Sequence, residues 1–223
     1  MNPRILAIDT TTESGGIALV EGGEAVAEVS ISAPQGFGQV IYGAIANTLR
    51  DAHWTLAEID CFAAAAGPGS FTGVRIGVAA AKGLAEALGK PAAGISNLQA
   101  VASFGTAPLR APLLDARRAQ VYCALYDASL ELVLPETVAL LPDFLRTLPE
   151  DDVEFLSTSL EPYRAALAGT RFETALAHET PRSLAAAVGR IASARFLRGR
   201  AEDPATLDAN YVRRCDAEMF WRE

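Results

Sequence analysis

The sequence predicts an α/β fold built from a duplicated unit, and three observations carry that reading. Short continuous apolar runs such as Ile5-Leu6-Ala7-Ile8, which ends at Asp9, suit central strands covered on both faces. Helical periodicity separates such runs, most clearly over residues 71–88. The opening order also recurs. Leu113-Leu114-Asp115 ends a strand as Ile8-Asp9 does, Val121 to Tyr126 follows as Ile17 to Val20 does, and Leu130 to Val133 follows as Ala25 to Ile31 does. Identity between the two copies is slight, so the repeat is one of order.

In the first copy, the polar turn Thr10-Thr11-Thr12-Glu13-Ser14 separates the first two strands, and Gly22-Gly23 marks a hairpin into the third. Val40, Ile41, Ala44, Ile45 and Leu49 recur at helical spacing, which predicts an amphipathic helix over 38–50. Phe62 to Ala66 reads as a strand entering the glycine-rich turn Gly67-Pro68-Gly69-Ser70-Phe71-Thr72-Gly73-Val74-Arg75-Ile76-Gly77. Four glycines and a proline at a strand-to-helix junction mean that something approaches that backbone closely. The following helix stops at Gly89 with Pro91 beyond. It has two non-polar stripes, one through Val74, Val78, Ala81, Ala85 and Leu88, the other through Gly73, Gly77, Ala80 and Leu84. One stripe is expected on the protein's own sheet and the second is free for a partner. In the second half, Val153 to Leu156 reads as a strand and Ser183 to Arg200 as a helix opened by Pro181 and closed by Gly199, before a loop over 201–210. The two lobes are placed at 1–105 and 106–223, with the last helix or tail able to pack back on the first lobe.

Composition narrows the function classes. At 223 residues the chain can bury a sizeable core, and no uncharged apolar run approaches the roughly 20 residues of a membrane helix, so a cytoplasmic protein is expected. Cys61, Cys123 and Cys215 are far apart and odd in number, which supports neither a disulfide framework nor a zinc ribbon. Net charge is −8, with five Lys/Arg against nine Asp/Glu in residues 1–105 and 14 against 18 in the remainder. An acidic chain holds nucleic acid only through a local basic patch, and Arg182, Arg190, Arg195, Arg198 and Arg200 supply the one candidate.

Asp9-Thr10-Thr11 could form a phosphate loop, its backbone and hydroxyls taking phosphate oxygens while the carboxylate holds a Mg²⁺-bound water; the alternative is a strand-end aspartate capping its own turn. The second copy, Asp115-Ala116-Arg117-Arg118, lacks the hydroxyls and glycines to wrap a phosphate. The glycine-rich turn has no terminal Gly-Lys-Ser/Thr and no dinucleotide-fingerprint spacing, leaving anion binding at the helix start or tight packing. The two histidines, His53 and His178, form no paired ligand motif, and no Gly-x-Ser-x-Gly elbow is present. Neither catalytic residues nor a metal site are assigned.

Ile5-Leu6-Ala7-Ile8-Asp9-Thr10, the block Gly67 to Gly77 continuing through Ala81-Lys82-Gly83-Leu84-Ala85, Asp115-Ala116-Arg117 and Tyr211-Val212-Arg213 together resemble the TsaB family, also called YeaZ, over most of the chain and in the same order. The resemblance implies a duplicated two-lobed fold of the actin, sugar-kinase and Hsp70 (RNase H-like) type. It implies a role in making threonylcarbamoyladenosine on tRNA beside the anticodon, as a non-catalytic scaffold for TsaD. That transferase carries a metal on a paired-histidine motif, which this sequence lacks, and the ATPase TsaE joins the complex. A homodimer is expected when the chain is alone, and tRNA is reached only through the complex. No cofactor is required; ATP or ADP with Mg²⁺ is an optional ligand at Asp9, Thr10 and Thr11. The expected partner interface comprises Val40, Ile41, Ala44, Ile45, Gly69, Ser70, Phe71, Thr72, Gly73, Arg75, Ile76, Gly77 and Ala80. Two departures weigh against nucleotide hydrolysis: Gln35-Gly36-Phe37-Gly38 stands where relatives often carry a histidine, and Ser157-Thr158-Ser159 replaces glycines after the later strand. The competing readings are a small ATPase or small-molecule kinase of the same fold, resting on Asp9, and an RNA-binding module resting on the late arginines.

Overall fold

Strand β1 (Arg4–Asp9) orders the first sheet. In the computed structural model, which describes residues 2–33 and 36–213, it pairs antiparallel with β2 (Ser14–Glu21), and β2 pairs with β3 (Glu24–Ser32) across the Gly22-Gly23 hairpin. A short 3-10 turn, Phe37–Gln39, leads into α1 (Ile41–Asp51). On the other side, β4 (Cys61–Gly67) lies parallel to β1 and is followed by α2 (Phe71–Leu88), β5 (Ala92–Ser96) and α3 (Asn97–Ala102). The order is β3-β2-β1-β4-β5. β1, β2 and β4 are buried along almost their whole length, which is why they are written in Ile, Leu, Val and Ala without alternation. β3 is the edge, paired only through β2, and Val26, Glu28 and Val29 on it are exposed.

The second sheet repeats this plan. β6 (Leu109–Asp115), β7 (Gln120–Asp127) and β8 (Leu132–Leu140) form the antiparallel meander; α4 (Leu141–Thr147), β9 (Val153–Ser157), α5 (Glu161–Leu167) and β10 (Ala177–Glu179) follow, in the order β10-β9-β6-β7-β8. Three antiparallel strands followed by two parallel ones beside the first, twice over, is the duplicated actin-like, RNase H-like fold. Phe155 and Phe172 meet edge to face, centroids 5.3 Å apart, inside the second core.

The last helix, α6 (Ala185–Leu197), returns to the first sheet. Leu6, Ile8 and Phe62 face α1 and α2 in the first core, while the opposite face of the sheet meets α6 at Gly189. A Cβ there would lie 2.5 Å from Val20 Cγ2 and 3.3 Å from the Ala7 Cβ. Met1–Ala100 accordingly groups with Arg182–Asn210, and Val101–Pro181 groups with the chain from Tyr211. The division falls five residues before the expected 105, and Arg182–Asn210 leaves the lobe to which 106–223 was assigned. Cys215 and the tail beyond Arg213 lie outside the described residues.

Strand starts differ where a turn intervenes. β8 begins at Leu132, because Asp127 Oδ1 accepts from the N–H groups of Ser129 and Glu131 and holds Leu130 in the left-handed region, φ 63°. β5, α3, α4, α5 and β10 are short elements that the sequence reading does not contain.

Glu154, fully buried on β9, anchors the segment that leads into the second sheet. Its Oε2 accepts from Thr106 N (2.6 Å) and Ala107 N (2.8 Å), while Arg110 on the neighbouring strand donates to Ala107 O (3.0 Å). Oε1 lies 2.9 Å from His178 Nδ1 and has no hydrogen-bond partner among the described residues. Glu154→Leu strands these donors and is expected to lower unfolding free energy in urea by about 3 kcal/mol; a change under about 1 kcal/mol refutes the clamp.

Candidate functional site

Asp9 ends β1 in the middle of the first sheet, and its carboxylate is wholly buried. Oδ1 accepts from Thr11 N (3.0 Å) and Thr11 Oγ1 (2.6 Å), and Oδ2 from Leu184 N (2.9 Å) just ahead of α6. Thr11 Oγ1 in turn accepts from Asn97 Nδ2 (2.6 Å), and Asn97 Oδ1 accepts from Gly67 N (3.2 Å). Thr10 Oγ1 donates to Gly73 O (2.7 Å), and Thr11 O accepts from Ser70 N (2.8 Å). The Asp9 carboxylate and the Thr10 and Thr11 hydroxyls are thus engaged by the chain itself, at their own turn, the start of α2, α3 and the segment ahead of α6. Burial raises the Asp9 carboxyl above the ordinary carboxylate range; the Thr11 hydroxyl and the Leu184 and Thr11 N–H groups pull it the other way without prevailing.

The same geometry explains the glycines. A Cβ on Gly73 would sit 1.9 Å from Thr10 O, one on Gly77 2.6 Å from Thr10 Oγ1, and one on Gly69 2.8 Å from Thr11 O. Gly67 takes φ 104°, and the Gly67–Pro68 peptide bond is cis. What approaches this backbone is the Thr10-Thr11 turn. The stripe through Gly73, Gly77 and Ala80 is therefore buried inside the chain and is not the free face expected for a partner. Ile41 and Ile45 are likewise core residues, with Ala44 and Ile76 packed partly against them.

Val40, Gly69, Ser70, Phe71, Thr72 and Arg75 do reach the surface. Val40 is 43% exposed, Phe71 50%, and Tyr42, which the helical stripe passed over, 58%. The Arg75 guanidinium lies 3.6 Å from the Phe71 ring centroid. The Phe37–Gln39 turn packs against both α1 and α2, so the two exposed sets belong to adjoining elements. Gln35 lies outside the described residues.

The second copy builds no equivalent hub. Asp115 is exposed and caps its own turn, accepting from Arg117 N at 2.8 Å with the Arg117 Nε at 4.0 Å, while Arg117, Arg118 and Ala119 run through the left-handed region at φ 64°, 54° and 59°. Ser157 Oγ accepts from Ser159 N (3.2 Å), a local turn. Burial pushes the Cys61 and Cys123 thiols up to about 12, which removes them as nucleophiles at neutral pH. Among the described residues no cluster of His, Cys, Asp and Glu is placed to hold a metal, and no helix is long and apolar enough to cross a membrane. Arg213 donates to Gln120 Oε1 at 2.6 Å and lies over Tyr122.

Comparison with known proteins follows the same lines. The family model of tRNA N6-adenosine threonylcarbamoyltransferase, TsaD, matches residues 32–219. The tRNA threonylcarbamoyladenosine biosynthesis protein TsaB of Bacillus subtilis is 34% identical over 98% of each chain. This chain belongs to the TsaB (YeaZ) family. The YeaZ structure from Pseudomonas aeruginosa superposes with a TM-score of 0.76 at 26% identity, covering 94% of this chain and 99% of that one. A second Pseudomonas aeruginosa structure, described as similar to peptidase YeaZ, gives 0.79 at 27% identity, covering 95% and 100%.

Residues the sequence reading missed at the hub are Asn97 and Leu184. Ser96, whose Oγ accepts from Leu98 N, starts a helix directly after an apolar run, and that Ser-Asn junction was the available signal for Asn97. Leu184 contributes only its backbone N–H, for which a sequence carries no sign.

Two substitutions on α2 separate close packing from helix preference in this TsaB-family chain. Gly73→Ala is expected to destabilise by more than about 3 kcal/mol, since its methyl meets a backbone oxygen. Gly83→Ala, with open space around it, is expected to stabilise by about 0.5–1 kcal/mol. Chemical denaturation of both checks the pair, and similar costs refute the packing assignment. A raised folded pKa at Asp9 also has a defined pH signature. Below the unfolded value near 3.9 both states hold the proton; above it the unfolded chain ionises first, so the folded state loses relative stability until the raised pKa is passed. The stability difference between wild type and Asp9→Asn is therefore expected to shift against wild type as pH rises from about 4 toward neutrality; a flat difference contradicts it.

Proposed function

We propose that this chain is the non-catalytic scaffold that binds TsaD and supports transfer of the threonylcarbamoyl group to tRNA adenosine beside the anticodon, in the cytoplasm. The observation that carries the reading is the exposed apolar group Val40, Tyr42 and Phe71 on adjoining elements of one unit. A large aromatic at a surface position, held by a stacked guanidinium, is the residue type that anchors protein interfaces. Membership of the TsaB family, and the match of a TsaD model to most of the chain, support a partner related in fold. In this reading the chain needs no cofactor of its own, since Asp9, Thr10 and Thr11 serve internal packing, and ATP or ADP with Mg²⁺ is not required for assembly. TsaE joins the assembled pair, and without TsaD the same surface closes a homodimer.

Mixing the chain with purified TsaD and measuring molar mass by light scattering is expected to show a heterodimer. Phe71→Asp and Tyr42→Asp are each expected to weaken it by at least about 30-fold while leaving the melting temperature unchanged, the loss typical of a central anchor. Absence of a complex with wild-type protein overturns the reading, and undiminished binding by both variants overturns the assigned surface. Mg²⁺-dependent ATP turnover by the isolated chain, abolished in Asp9→Asn, would instead establish an enzyme.

A further inference from the structure

The segment from Thr180 to Ala201 carries five of the chain's 19 Lys/Arg and no Asp or Glu, whereas the rest of the chain holds 14 Lys/Arg against 27 Asp/Glu. Its charge thus opposes that of the molecule around it. The five arginines do not share one role. Arg195 turns inward, donating to Gly94 O (2.8 Å) and Gln99 Oε1 (2.9 Å), and ties α6 to β5. Arg190 and Arg198 are exposed and make no ion pair among the described residues. They stand eight residues apart, about 12 Å along a helix, on the face shared with the exposed Ala194 and Leu197. The helix dipole accounts for positive charge at the end of α6, where Arg198 stands, but not for Arg190 near its middle.

We infer that this outer face of α6 contacts the phosphate backbone of an RNA. Arginine presents a planar fork that matches two phosphate oxygens, and two forks without an ion pair among the described residues, on a chain that is otherwise acidic, orient a polyanion to one side of the molecule. The choice of RNA over an acidic protein rests on the function proposed above, whose substrate is a tRNA. The contact is backbone-directed and sequence-independent, so it positions the RNA and leaves base recognition to other surfaces.

The test is binding of an unmodified tRNA transcript, by fluorescence anisotropy, to the full chain alone and to its complex with TsaD, between about 50 and 200 mM salt. Arg190→Glu/Arg198→Glu is expected to weaken binding about ten-fold at the lower salt and to reduce the log–log salt slope by about 1–2, roughly one phosphate per arginine. Arg146→Glu/Arg164→Glu, an equal charge change at exposed positions of the second unit, is expected to leave both unchanged. Equal losses in the two double variants, or none in either, overturn the proposal. So does competition by polyglutamate as effective as by tRNA, which would assign the face to an acidic protein. Failure of the chain to bind TsaD sinks the proposed scaffold role alone, because the same comparison is then read on the isolated chain.

Discussion

A carboxylate placed in the interior of the first unit governs much of what surrounds it. Asp9 must find donors there or carry a desolvation cost of several kcal/mol. It finds them in Thr11 and in the N–H of Leu184, from segments far apart in the chain. Satisfying Thr11 then calls for Asn97, and Asn97 reaches Gly67, so one buried charge brings the ends of β1 and β4 and the starts of α3 and α6 to a common point. The closeness of that meeting leaves no volume for a Cβ at residues 69, 73 or 77. Glycine is required there by the protein's own backbone.

The two halves show what this requirement does to a shared topology. Both sheets have the same strand order, and both first strands end in aspartate. After Asp9 come two threonines whose hydroxyls turn inward; after Asp115 come alanine and arginine, which offer no inward donor. Asp115 consequently stays in solvent, and the helix after the fourth strand is α5, seven residues, where the first unit has the 18-residue α2. A glycine-lined turn that packs flush lets a long helix lie along the sheet. Without it the second unit seals its core with Phe172, Tyr163 and the hydrophobic side of α4.

Long-range pattern was readable from the sequence, and three-body contact was not. Uninterrupted apolar runs marked β1, β2 and β4, and the limits of α2 coincide with Phe71 and Leu88, because Ser70 caps its start and Gly89 takes the left-handed turn at its end. Short elements such as α3, α5 and β10 are held by tertiary contacts and have too few residues to show a period. The glycine block was recognised as a place of close approach, but a helical wheel cannot say which neighbour approaches. Much of its two non-polar faces is covered by the chain itself, one by the core and the first turns of the other by the Thr10 turn, so the large apolar side chain that α2 exposes is Phe71 at its start. Tyr42 escaped because an exposed aromatic beside a buried isoleucine breaks no periodicity.

The outermost strand of the first sheet has a bearing on solubility. β3 is nine residues long, lacks proline and lysine, and exposes valines, a description that fits strands prone to pair edge to edge. Glu28 stands at its middle and Glu24 at its beginning. Two copies joining antiparallel about their centres would set Glu28 against Glu28, a like-charge pair that disfavours the register with the most backbone bonds. Glu28 thus acts against the most extensive pairing that two β3 edges could make.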